Sequence, residues 1–132
     1  MSTLPEINLL AGWIGMLLGV ASGAFLGLFF HRDDWAGGYG SHRRRLMRLG
    51  HIAFFGLGFL NIVFALTLQN RPVDGGFADA ASYAMILGAA TMPVCCFLTA
   101  WRRGFRHFFP IPVLALGYGI IFIIMSCTEV SS

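Results

Sequence analysis

Four histidines, three cysteines and six methionines supply the side chains of this chain that can hold a metal ion or the iron of a porphyrin, and they are unevenly distributed. His31 closes one apolar run, His51 opens the next in RLGHIAFFGLGFLN, His107 opens the last, and His42 lies in an arginine-rich connection. Cys95 and Cys96 are adjacent, with Met92 one helical turn earlier. If the apolar runs are antiparallel helices, all four histidines fall near one end of the bundle. The vicinal cysteines lie roughly 8 Å from that end at ~1.5 Å per residue.

Two chemistries fit such a layer. Imidazoles from two helices at matched depth can ligate a b-type haem axially, with glycines letting the ring lie against backbone. His51 with His107 or His31 is the expected pair, and Gly58 on the second run and the glycine row of the first offer room. The aromatic-rich second and fourth runs would carry the electrons. Alternatively, Met92, Cys95 and Cys96 with a histidine form a set suited to a soft metal such as copper or mercury. The vicinal pair resembles those in the spans of small mercury-uptake proteins. The general plan is similar to that of small membrane cytochromes b and of haem-carrying bundles of haem-modifying enzymes, although no single run carries their paired histidines.

The same residues also have structural uses. A histidine at a helix end often sits at a wet interface, and buried Cys and Met fill gaps between helices. Asn61 falls near the middle of its run, where an unpaired amide is costly, so a hydrogen bond to another helix is its expected role.

The elements that would position these groups follow from composition. The chain has 132 residues, of which 57% are hydrophobic and 11% charged, and its mean hydropathy is +0.73. That balance belongs to a membrane protein. Four runs, at 9–30, 49–68, 80–101 and 108–127, reach the roughly 20 residues that cross a bilayer as helix. The expected fold is all-α: an antiparallel four-transmembrane-helix bundle forming one domain over residues 1–132.

Every cation is an arginine. Arg32, Arg43, Arg44, Arg45 and Arg48 lie in the first connection or at its edges, and Arg102, Arg103 and Arg106 lie in the third. Arg71 alone marks the second. By the positive-inside pattern the first and third connections are cytoplasmic and both termini lie outside, in a bacterial inner membrane. Nucleic acid is not an expected partner. The cation-free MSTLPEIN lacks the charged start of a secretory signal, so the first run is expected to be retained. Thr3 and Glu6 have capping-box spacing, with Pro5 in the first turn.

Gly15, Gly19, Gly23 and Gly27 recur every fourth residue and form a groove on one face of the first helix. That groove would pack a neighbour in the bundle, a second copy of the chain, a larger membrane complex, or a flat cofactor. Gly37, Gly38 and Gly40 interrupt the first connection, and Trp35 and Tyr39 suit the interface, so this segment is expected to fold back on the membrane surface. Pro72, Asp74 and Gly75 read as a turn, with Asp79 capping the third helix. Pro93 is expected to kink that helix, and Pro110 and Pro112 fit the first turn of the fourth.

Absences narrow the function further. No acidic residue falls inside a run, which argues against proton-coupled transport. There is no Walker loop, dinucleotide fingerprint or HExxH motif. Three cysteines in apolar settings do not make a disulfide framework. Three classes remain: a haem-binding redox bundle, a soft-metal protein, and a non-catalytic subunit or assembly factor.

Overall fold

The structure, a computed structural model, describes residues 4–71, 73 and 75–129. Four long helices dominate: α1 (Leu4–Phe29), α2 (His42–Asn70), α3 (Gly76–Trp101) and α4 (Pro110–Glu129). All four are long and apolar enough to span a membrane, and among the described residues there is no strand. The chain is an all-α integral membrane bundle. Short 3₁₀ segments, Trp35–Gly37 and Arg103–Phe108, occupy the first and third connections.

All four helix starts differ from the hydropathy reading: α1 begins five residues early at Leu4, and the other three differ for local reasons. α2 begins at His42, well before the apolar run, because Ser41 caps it by accepting a hydrogen bond from the Arg44 backbone N–H. Arg43, Arg44, Arg45 and Arg48 thus stand in the first two turns of the helix. α3 begins at Gly76 with Gly75 as its N-cap at φ 126°. Asp79 is therefore inside the first turn, where a carboxylate still meets the positive end of the helix dipole. α4 begins at Pro110 with Pro112 in its first turn, as their missing amide donors predict. Thr3, Pro72 and Asp74 lie outside the described residues, so the capping box and part of the second connection do too.

α3 packs against each of the other three helices. Its continuation through Pro93 is uninterrupted, and the Thr91 hydroxyl donates to Leu87 O at 2.7 Å. Phe64 and Leu68 of α2, Ala81 and Met85 of α3, and Leu116 of α4 form the core. Small residues let these helices close: a methyl group added at Gly88 would meet Leu116, and one at Gly119 would meet Met85.

α1 joins by the glycine groove. A methyl at Gly12 would lie 2.6 Å from Gly58 O, and one at Gly58 would lie 2.8 Å from Gly12 O. Gly15 faces the Gly58 Cα, Gly19 the Phe55 ring and Gly23 the His51 ring. Three of the four glycines in the row are thus used inside the bundle, and Gly27 has nothing within 4 Å of an added methyl. The opposite faces carry Leu17, Leu28, Phe77 and Leu114, all largely exposed, as lipid contact requires.

Candidate functional site

Two groups of polar side chains bond across helices inside the spans. Asn61 is fully buried, and its amide donates to Leu57 O and to Met85 O of α3, both at 3.1 Å. Its Oδ1 accepts from Asn8 Nδ2 of α1 at 2.9 Å, and Asn8 also donates to Ser82 O of α3 at 3.2 Å. Asn61 therefore bonds across helices as its depth predicts. Asn8, also fully buried, escaped the sequence reading because it stands just ahead of the first apolar run. The four amide hydrogens of the pair are all used, and Asn8 Oδ1 and the Ser82 hydroxyl are left without a protein partner.

The second group is His51. Its Nδ1 lies 3.2 Å from Ser22 Oγ, its ring packs against Gly23, and Phe55 meets it edge-on at 5.4 Å. The Ser22 hydroxyl also lies 3.1 Å from Gly19 O. A hydroxyl has one hydrogen, so both contacts are satisfied when Ser22 donates to Gly19 O and His51 Nδ1–H donates to Ser22 Oγ. That arrangement puts the lone pair of the neutral ring on Nε2.

The remaining ligand candidates stand apart in their surroundings. His31 lies in the turn after α1 and is exposed; His107 lies in the 3₁₀ segment before α4 and is exposed. The neighbours that the structure gives His51 come from α1 and α2. Gly58, expected to make room for a ring, is closed by the backbone of Gly12 and Gly15. Cys95 and Cys96 are both buried free thiols, and Met92 packs against the aliphatic core. Among the described residues, no group of three His, Cys, Asp or Glu side chains is gathered closely enough to hold a metal ion.

The structure concentrates its unabsorbed polar chemistry at the arginine-rich end. Arg44 is only 1% exposed. Its guanidinium donates to Phe30 O at 2.7 Å and Arg32 O at 2.9 Å, carbonyls just beyond the end of α1. The rings of Tyr39, Phe30 and Trp35 surround it, with centroids 3.8, 5.0 and 5.7 Å from its central carbon. Trp35 in turn stacks on Phe29 at 5.1 Å. The first connection is folded around this one cation. Ala36, at φ 55°, takes the left-handed conformation that the wrap demands. Composition marked Arg44 only as one of a run of cations; the flanking Phe30, Trp35 and Tyr39 were the available sign of its cage.

Arg43 performs the matching task at α3. Its Nε donates to Ala100 O at 3.0 Å, satisfying a carbonyl in the last turn. Beside it a cavity of about 280 Å³ is lined by Ser41, His42 and Arg43 on one side and Ala100, Trp101 and Arg103 on the other. A larger apolar groove of about 400 Å³ runs along α3 past Ala90, Val94, Cys95 and Leu98, with Phe105 and Phe108 also lining it.

Comparison with protein-family models, curated proteins and solved structures finds no match to this chain.

Proposed function

We propose that the chain is a non-catalytic subunit or assembly factor of a larger membrane complex, resident in a bacterial inner membrane with its arginine-rich end in the cytoplasm. One observation carries this reading. Asn8, Asn61, Ser22 and His51 are engaged in helix-to-helix bonds inside the spans, and eight of the nine arginines gather at one end of the bundle. Such a molecule offers its lipid-facing surface and its rim to others, and Gly27 is a small-residue position on α1 that the chain's own helices leave open.

Mild-detergent purification with mass measurement by light scattering tests the proposal. A species heavier than one chain, reduced to one chain by Gly27→Leu, supports it. A lone monomer in native lipid nanodiscs overturns it.

A second reading, haem b binding through His51, draws on the Ser22 contact. Histidines that ligate metals commonly donate their other ring N–H to a fixed acceptor, and the 3.2 Å contact of Nδ1 with Ser22 Oγ has that form when Ser22 gives its own hydrogen to Gly19 O. A dithionite-reduced minus air-oxidised spectrum separates the two. Sharp b-type bands lost in His51→Ala favour the haem; a flat spectrum under haem-replete expression leaves His51 as a packing residue.

A further inference from the structure

The geometry points to a binding site for an anionic glycerophospholipid at the arginine-rich end, with the phosphate in the cavity beside Arg43 and Arg103 and an acyl chain in the groove along α3. The polar cavity carries two guanidinium groups and the His42 imidazole, and no carboxylate lines it. Guanidinium forks match phosphate oxygens bidentately. The Nε bond to Ala100 O holds Arg43 at the wall of the cavity. Trp101, 66% exposed at the end of α3, is the amphipathic ring expected at headgroup depth.

The apolar groove gives the phosphate its lipid identity. α3 contributes Leu98 to the groove and Trp101, one turn on, to the cavity. The 3₁₀ segment likewise gives Phe105 to one and Arg103 to the other. From Ala90 to Leu98 the groove follows α3 for about 12 Å at ~1.5 Å per residue, which fits within the roughly 15 Å that one leaflet's chains occupy. Thr91, the hydroxyl on that wall, is bonded to Leu87 O, so the groove presents an oily surface, with the cationic cavity one turn further along α3. A basic pocket between membrane helices over an apolar cleft selects for anionic headgroups. A soluble phosphate ester would leave the groove empty.

The test uses the whole protein in detergent, titrated with dioleoyl phosphatidylglycerol, dioleoyl phosphatidylcholine or glycerol phosphate, and reads bound lipid by native mass spectrometry and melting temperature. Phosphatidylglycerol is expected to bind and to raise the melting temperature; phosphatidylcholine and glycerol phosphate are expected to do neither. Arg103→Gln should weaken phosphatidylglycerol about five-fold, the equivalent of ~1 kcal/mol per arginine at a membrane surface. Val94→Phe, which fills the groove and leaves every cation in place, should weaken it as well. Arg71→Gln, at the other end of the bundle, should change nothing. Equal binding of both lipids, or unaltered selectivity in Arg103→Gln and Val94→Phe, overturns the assignment. Full reproduction of the effect by glycerol phosphate also overturns it, since the ligand would then be a soluble anion.

Discussion

At the scale of single residues, the deep polar groups act as fasteners, and their donor accounting says how strong each is. Asn61→Ala removes the bond to Met85 O and leaves one of the two Asn8 Nδ2 hydrogens without its acceptor, the other keeping Ser82 O. Interhelical hydrogen bonds in membranes average ~0.6 kcal/mol, but stranding a buried partner moves the cost upward, so a loss of about 1–2 kcal/mol is expected. Reversible unfolding in mixed micelles measures it. Because the two amides share a bond, Asn8→Ala and Asn61→Ala together should cost less than the sum of the singles; strict additivity would mean that the Asn8–Asn61 bond is worth nothing. The sequence made half of this pair visible. Asn61 lay far enough inside an apolar run that its burial was implied, whereas Asn8 stood one residue outside such a run. Only the earlier start of α1 at Leu4 puts it against α2 and α3. Arg44 was hidden for a different reason: charge patterning counts cations, and cannot tell a solvated arginine from one enclosed by three rings. Arg44→Lys keeps the charge but lacks the planar fork that reaches two carbonyls. Limited proteolysis should therefore cut the 30–41 segment faster in that variant than in Arg45→Lys, whose parent residue is exposed.

At the scale of elements, α1 is held to α2 chiefly by the absence of side chains. The four-residue glycine spacing announced a groove, and packing inside the bundle was one of the uses it allowed. What the spacing could not supply was the partner helix, because rotation about each helix axis is set by packing between elements distant in sequence. Once Gly12 and Gly15 face Gly58, the registers of Gly19 with Phe55 and Gly23 with His51 follow one turn at a time. His51 is thereby turned toward Ser22, and among the described residues no three histidine, cysteine or acidic side chains are gathered as metal ligands. The groove can be dissected by size. Gly58→Leu would drive a branched side chain into the Gly12 carbonyl and should separate α1 from α2, whereas Gly27→Ala meets nothing within 4 Å. Expected outcomes are a large loss of melting temperature for the first and a change within about ±0.5 kcal/mol for the second, the range usual for surface substitutions. Equal effects would mean that the glycine row does not set the α1–α2 contact.

At the scale of the whole molecule, the four-helix architecture was legible from hydropathy and charge alone. Spans in lipid must satisfy their own backbone, so length and apolarity nearly dictate helix. Orientation in the membrane rests on the arginine count, and the structure adds a reason for those arginines to stay together. Arg43 and Arg44, side by side at the start of α2, bond the carbonyl ends of two different helices, Ala100 O in α3 and Phe30 O beyond α1. The cations that would set topology are thus also the clasps of one end of the bundle. If that end is cytoplasmic, single cysteines at Gly40 and Gly76 should report opposite sides, and neither position crowds a new side chain, since an added methyl meets nothing within 4 Å at either. In a background with Cys95, Cys96 and Cys127 replaced by alanine, a membrane-impermeant maleimide should label Gly76→Cys in intact spheroplasts and Gly40→Cys only in inverted vesicles. The reverse pattern would place the arginines outside, and the clasp would then stand as their sole reason for clustering. Labelling of both positions from both sides would mean that the chain inserts in two orientations, an outcome that eight arginines set against one should prevent.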